Sequence, residues 1–401
     1  MSPVSTAIRS ALVPLAAGVL AAALAGCSAP APPAASSAST PCPVPARPTG
    51  PAHGVLYGVN LDWGNEQLSG YATALGHHPA VAVSFSGFPF TDTDRKNIQG
   101  AADQVRRQGA TLLLTLEPHA GLAAASAPSA LGDLTALLKG INDSGVPVIV
   151  RFGQEMNGSW YEWGEQPGEY VAAFDKVAAA VHAAPSSATM WAPNYGGGYP
   201  FAGGKYEAKK GTADFAALDT NHDGVLDGRD DPYAPYWPGD AAVDWVGMSL
   251  YHWGNTYPWG ANVVPEPGKF AQQLTGTYNG AGGNDLAVPD FYTDYGIRHA
   301  KPVAIAETAA LVNTSRDTSD ALTVKQAWWD QVLAPDIPAR FPDLKMVNWF
   351  EWDKYESEVN ATVDWTATKD PAVRAAFTKA LPSWLDYGTP AACTPATGPT
   401  G

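Results

Sequence analysis

The sequence predicts a (β/α)8 barrel, and three observations carry that expectation. Eight short apolar runs recur along the chain, most are separated by a helix-compatible stretch, and polar or aromatic residues follow almost every run. The runs are GVLYGVN (54–60), AVAVSF (80–85), TLLLTLE (111–117), VPVIVRF (146–152), ATMWAPN (188–194), DWVGMSLY (244–251), PVAIAE (302–307) and LKMVNWFEW (344–352). Strands apolar throughout, alternating with helices, point to a parallel sheet buried on both faces. Eight such units close into a barrel rather than an open doubly wound sheet. No GxGxxG turn follows the first run, which removes the main dinucleotide-binding alternative.

Taken in order, the first run ends at Asn60 with Asp62 beyond it, and the third ends at Glu117 with His119 close behind. Leu134, Leu137, Leu138 and Ile141 recur at helical spacing before the fourth run, which leads to Arg151, Gln154 and Glu155. Phe174, Val177, Ala178 and Val181 do the same before the fifth, which carries Trp191 and Asn194. Tyr251 and Trp253 close the sixth run, Glu307 the seventh, and Trp349 and Glu351 lie in the eighth. A barrel needed only for its shape has no use for such tips, since the face built by the βα loops is where this fold keeps its chemistry. Two carboxylates there, Glu155 and Glu307, are the minimum equipment for cleaving a glycosidic bond. The chain also has 14 tryptophans. Many lie near these tips, where an indole offers a flat apolar face to a sugar ring and an N–H to a hydroxyl.

The flanks set the compartment. Arg9 precedes an apolar, alanine-rich segment from Ala11 to Ala25. At about 15 residues it is too short to span a bilayer, which takes ~20, and it reads as a signal peptide. Leu24-Ala25-Gly26-Cys27 resembles the lipobox of bacterial lipoproteins, whose cysteine becomes the lipidated N-terminus. The expected organisation is a signal peptide over 1–27, an Ala/Pro/Ser-rich linker over 28–52, one catalytic domain over 53–385 and a C-terminal tail over 386–401. The protein is expected to be secreted and held by lipid at the extracellular face of the bacterial membrane. With Cys27 lipidated, Cys42 and Cys393 remain, one near each end of the folded body, and in an oxidising compartment they are expected to form a disulfide. A net charge of −15, with 24 basic residues and no basic cluster, argues against nucleic acid or an anionic lipid surface as partner. A monomer acting on a neutral polysaccharide fits.

RFGQEMNGSWYEWG (151–164) resembles the acid/base motif of glycoside hydrolase family 26, whose members are (β/α)8 barrels that mostly cleave β-mannans. The resemblance spans roughly 54–385. It implies that Glu155 is the general acid/base, that Glu307 in PVAIAET is the nucleophile, that Tyr251 in MSLYHWG holds the nucleophile, and that Trp349 in NWFEW is a sugar platform. Where the family motif has a histidine before its acid/base, this chain has Gln154. Arg151, Gln154, Trp160, Trp163, Tyr251, Trp349 and His119 are the expected substrate-binding set. The implied activity is a retaining endo-β-1,4-mannanase. A β-glucanase or β-xylanase of the same family, a barrel that binds glycan without cleaving it, and a lipid-anchored sugar-binding protein of a transporter are the alternatives.

A second constellation lies between the fifth and sixth runs. In LDTNHDGVLDGRDD (218–231), Asp219, Asn221, Asp223, Asp227 and Asp230 take positions 1, 3, 5, 9 and 12, with Gly224 at 6 and the Val225 carbonyl at 7. This spacing resembles an EF-hand or dockerin calcium loop. A structural Ca2+ held by this insertion (219–230) is expected.

Overall fold

The computed structural model describes residues 42–280, 288–390 and Cys393. Eight strands form the barrel: β1 Val55–Leu61, β2 Val81–Gly87, β3 Thr111–Glu117, β4 Val148–Phe152, β5 Ser187–Trp191, β6 Trp245–Ser249, β7 Val303–Thr308 and β8 Leu344–Glu351. They pair in sequence order, all parallel, and β8 returns to β1 in register from Leu56↔Met346 to Leu61↔Glu351. This closure is what the eight apolar runs predict. β4, β5, β6 and β7 are buried along their whole length, one face meeting the lumen and the other the helices.

The helices follow from local signals. Pro128–Asp143 precedes β4 and Pro167–His182 precedes β5, each with Pro in its first turn. Leu134, Leu138 and Ile141 are buried on the first, with Leu137 at its margin; Phe174, Val177, Ala178 and Val181 are buried on the second. Asp92–Gln108 opens with a capping box between Thr91 and Asp94 and ends on Gly109 in the left-handed conformation.

The lumen is packed with a separate layer that includes Val83, Leu113, Ile149, Met190, Ala304, Ala306 and Met346. Asn348 also points in, donating to the Ala306 carbonyl at 3.2 Å. It fits only because position 58 is glycine: a Cβ there would lie 1.9 Å from Asn348 Oδ1. Near the C-terminal ends of β6, β7 and β8 the register slips, between Met248 and Ser249 on one side of β7 and between Ile305 and Thr308 on the other. A bulge of this kind breaks the in–out alternation. Its effect here is that Ala306 fills the lumen while the next residue, Glu307, also faces the barrel axis.

Opposite the loop face, β11 Leu385–Asp386 adds beside the start of β1, the hairpin β9–β10 (Asp353–Glu356 and Ala361–Asp364) having come earlier in the chain. Cys42 and Cys393 form a disulfide with Cα atoms 4.8 Å apart. The described part of the expected linker, residues 42–52, is hydrogen-bonded to the barrel in both directions: Trp245 Nε1 donates to Pro48 O at 3.1 Å and Ser186 Oγ to Pro45 O, while Arg47 Nη2 donates to His182 O at 3.3 Å. Cys27 and the signal segment lie outside the described residues.

Candidate active site

The strand tips bring the two predicted carboxylates into one polar cluster. Arg151, fully buried and directed inward from β4, pairs through Nη1 with Glu307 and donates through Nη2 to Ser249 Oγ at 2.7 Å. Tyr251 OH donates to the other Glu307 oxygen at 2.6 Å. Glu307 is 7% exposed, so two strong donors hold a nearly buried carboxylate in one orientation. Arg151 acts on Glu307 from below and does not reach the surface.

Glu155 is treated oppositely. Burial first, and then the charge of Glu307, push its carboxyl up to about 7, while Arg151, Ser249 and the Trp160 indole favour its ionised form less strongly. Trp160 Nε1 donates to Glu155 Oε2 at 3.1 Å. The backbone is strained to place it, with Glu155 at φ 54° two residues after Gly153, also at φ 54°. Neighbouring bonds enforce that conformation: Glu155 N–H donates to Ala192 O at 2.9 Å, and Asn157 exchanges bonds of 2.8 and 2.9 Å with the Asn194 backbone. Gly158 is required too, since a Cβ there would sit 2.3 Å from the Trp160 ring. The EMNG-W run therefore builds a rigid turn that aims one carboxyl. A protonated carboxyl facing an ionised one can deliver a proton to a leaving oxygen while the other attacks carbon.

Other expected contacts are placed differently. Trp349 is fully buried on the outer side of β8, its ring 5.0 Å from Phe377 on the helix Pro371–Ala380, and so is no sugar platform. Strand alternation decides this: Asn348 and Phe350 face the lumen side, Trp349 the helices. Beyond it, Trp352 is half-buried, stacks on Phe350 at 5.9 Å and donates to Asn60 Oδ1 at 3.2 Å. Trp163 is also fully buried, donating to the Gln154 carbonyl at 2.8 Å and stacking on Tyr161 at 4.5 Å, so it supports the turn instead of touching substrate. Trp160 and Tyr251 remain partly accessible. Gln154 is buried and donates to Glu117 Oε1 at 3.1 Å; His119 is exposed at the rim, its Nδ1 3.1 Å from Glu162 Oε2. Ser249 and Glu117 are members of the cluster that the residue patterns did not single out as site residues. The position of Glu117 at a strand tip was the available signal, whereas Ser249 depends on the bulge.

The loop 219–230 turns its carboxylates largely to its own backbone. Asp219 accepts from Asp223 N and Gly224 N, at 3.0 and 2.8 Å, and Asp230 from Asn221 N and Asp227 N, at 3.3 and 3.0 Å. Arg229 bridges Asp223 and Asp227 at 2.7 and 2.6 Å. Val225 is exposed. Among the described residues no group of three or more His, Cys, Asp or Glu side chains is arranged to hold a metal ion.

Comparison with solved structures agrees with the barrel. GH26C of a Muricauda species superposes with a TM-score of 0.52 at 13% identity, over 84% of this chain and 88% of that one. A modular endo-β-1,4-mannanase of Cellulomonas fimi, among the glycoside hydrolase family 26 mannanases, gives 0.51 at 16% identity, over 89% and 82%. At such identities the likeness is one of fold. No protein-family model matches the sequence, and no curated protein matches it.

Proposed function

We propose that the protein is a retaining β-glycoside hydrolase acting on a β-1,4-mannan-type polysaccharide, with Glu307 as nucleophile and Glu155 as acid/base. The observation that carries this reading is the opposite treatment of two carboxyls in one cluster: Glu307 gripped by Arg151 and Tyr251, Glu155 partly buried near it and raised to about 7. Glu307 attacks the anomeric carbon as Glu155 protonates the departing oxygen. The glycosyl ester so formed is hydrolysed by a water from which Glu155 takes a proton. Mannan is favoured over β-glucan or β-xylan by the resemblance of 151–164 to the family motif, with which a fold shared with the Cellulomonas fimi mannanase is consistent.

Reducing-end release from purified mannan, mixed-linkage β-glucan and xylan tests the substrate. Glu307→Gln is expected to release nothing, and Glu155→Ala to lose polysaccharide cleavage yet still turn over aryl glycosides whose leaving group needs no proton. Loss of both activities in Glu155→Ala would remove it from the acid role. Lipid attachment at Cys27 completes the proposal, and Cys27→Ser should move the mature chain from the membrane fraction to the medium. The Asp219–Asp230 loop is proposed to take Ca2+, supported by its ligand spacing.

A further inference from the structure

We propose that Glu117, with His119 beside it, binds hydroxyls of a sugar unit adjoining the cleaved bond and so contributes to the choice of glycan; this rests on the glycosidase reading above. Glu117 ends β3, next to the β4 tip that carries the Glu155 turn, through the pairing Leu116↔Phe152. Among the described residues its side-chain partners are Gln154, whose Nε2 donates to Oε1 at 3.1 Å, and the more distant His119. The Gln154 contact fixes the amide, because the opposite orientation would set two acceptor oxygens against each other. Oε2 lies 3.7 Å from His119 Nε2, beyond hydrogen-bond length, and the side chain keeps 21% of its surface exposed.

The flank is braced by a polar chain. His119 Nδ1 meets Glu162 Oε2 at 3.1 Å, Tyr206 OH donates to Glu162 Oε1 at 3.0 Å, and the His119 ring leans edge-on against Trp163 at 5.4 Å. Glu117 Oε2 and His119 Nε2 are thus neighbouring polar atoms on two side chains that both keep exposed surface. An ionised carboxylate is an acceptor only, so it suits hydroxyl donors of a neutral sugar. Glu117 also senses the charge of Glu307, which places it on the same face as the chemistry. A carboxylate serving the fold alone would gather donors as Glu351 does, which accepts from Ala367 N, Thr368 N and Thr368 Oγ1. Burial raises Glu117 above the ordinary carboxylate range, a cost that the Gln154 amide and the neighbouring His119 offset in part.

Glu117→Gln keeps an oxygen for Gln154 and removes the charge. On the oligosaccharide best cleaved by the wild type it should lower kcat/KM roughly tenfold to a hundredfold with an unchanged melting temperature. Monodeoxy analogues separate contact from positioning. One analogue should cost the wild type as much as the substitution does, and cost the variant nothing more. Unchanged activity in Glu117→Gln overturns the proposal, and so does an equal further loss with every analogue, which would mean that Glu117 acts through Gln154. A wild type that cleaves none of the glycans sinks the glycosidase reading and this inference with it; an active wild type with an indifferent variant sinks this inference alone.

Discussion

Removing the indole N–H from Glu155 should move the alkaline limb of the pH–activity profile upward. Trp160 Nε1 donates to Glu155 Oε2 at 3.1 Å, a bond that favours the ionised carboxyl. With burial and the Glu307 charge holding Glu155 at about 7, the wild-type kcat/KM should fall tenfold per unit above that pH, because the acid must carry its proton. Trp160→Phe keeps an aromatic ring and deletes the donor. A hydrogen bond to a charged group contributes about 1.5–3 kcal/mol, and one pKa unit corresponds to about 1.4 kcal/mol. The lower figure suits a neutral donor at a partly open cleft, so the limb should rise by about one unit. The protonated fraction at pH 8 then goes from about a tenth to about a half, and kcat/KM at pH 8 relative to its own plateau rises about fivefold. Taking that ratio between pH 5 and 9 separates the shift from any loss of sugar contact, which lowers the plateau and leaves the limb in place. A limb that stays put or moves down, in a variant with unchanged melting temperature, would refute the role of this bond and weaken the assignment of Glu155 as the acid.

Glu155 also links pH to stability. Its folded carboxyl titrates above the ordinary 4.5, so between that value and about 7 the native state binds more protons than the unfolded chain, and stability falls as pH rises. Glu155→Gln removes that loss and should be more stable than the wild type at pH 8 by about 3 kcal/mol, yet equal to it near pH 4 in urea titrations. Glu307→Ala should do more than abolish cleavage: it strands the fully buried Arg151, and losing one partner of a buried pair costs about 3–5 kcal/mol. Glu307→Gln, retaining an acceptor, should melt closer to the wild type by calorimetry. Chelation should lower the melting temperature, since a ligand at a hundredfold excess over its Kd adds about 2.7 kcal/mol to the folded state. Asp219→Ala should reproduce the effect, and an unchanged melting temperature in protein shown to be metal-free would reduce 219–230 to an acidic surface turn.

The barrel was legible because a strand buried on both faces needs no alternation to be recognised. The run VPVIVRF becomes β4 Val148–Phe152, and PVAIAE becomes the body of β7. The same property hides which face each residue takes. In NWFEW every position is apolar or could end a strand, and Trp349, the platform the family resemblance implies, faces Phe377. Strand alternation from Asn348, which lines the lumen, puts Phe350 and Trp352 on the same side. Alternation fails at Glu307 because the bulge lets two successive residues face inward, and a bulge is fixed by the pairing of distant strands, not by local sequence.

That difference explains why Glu155 is the securer of the two carboxyls when read from sequence. Its placement is local. The left-handed backbone, the Asn157 clamp on Asn194, the Gly158 gap filled by Trp160 and the Trp163 bond to the Gln154 carbonyl mostly lie within a few residues, so the motif GQEMNGSWYEW records the mechanics of one turn. Glu307 instead depends on Arg151 from β4, Tyr251 after β6 and a register slip against β6 and β8, none of which PVAIAET contains. Glu155, the proposed proton donor, is thus positioned by a strained turn and Glu307 by the barrel wall. Changes that loosen the 153–163 turn should therefore alter the titration of Glu155 while leaving the Arg151–Glu307 pair in place.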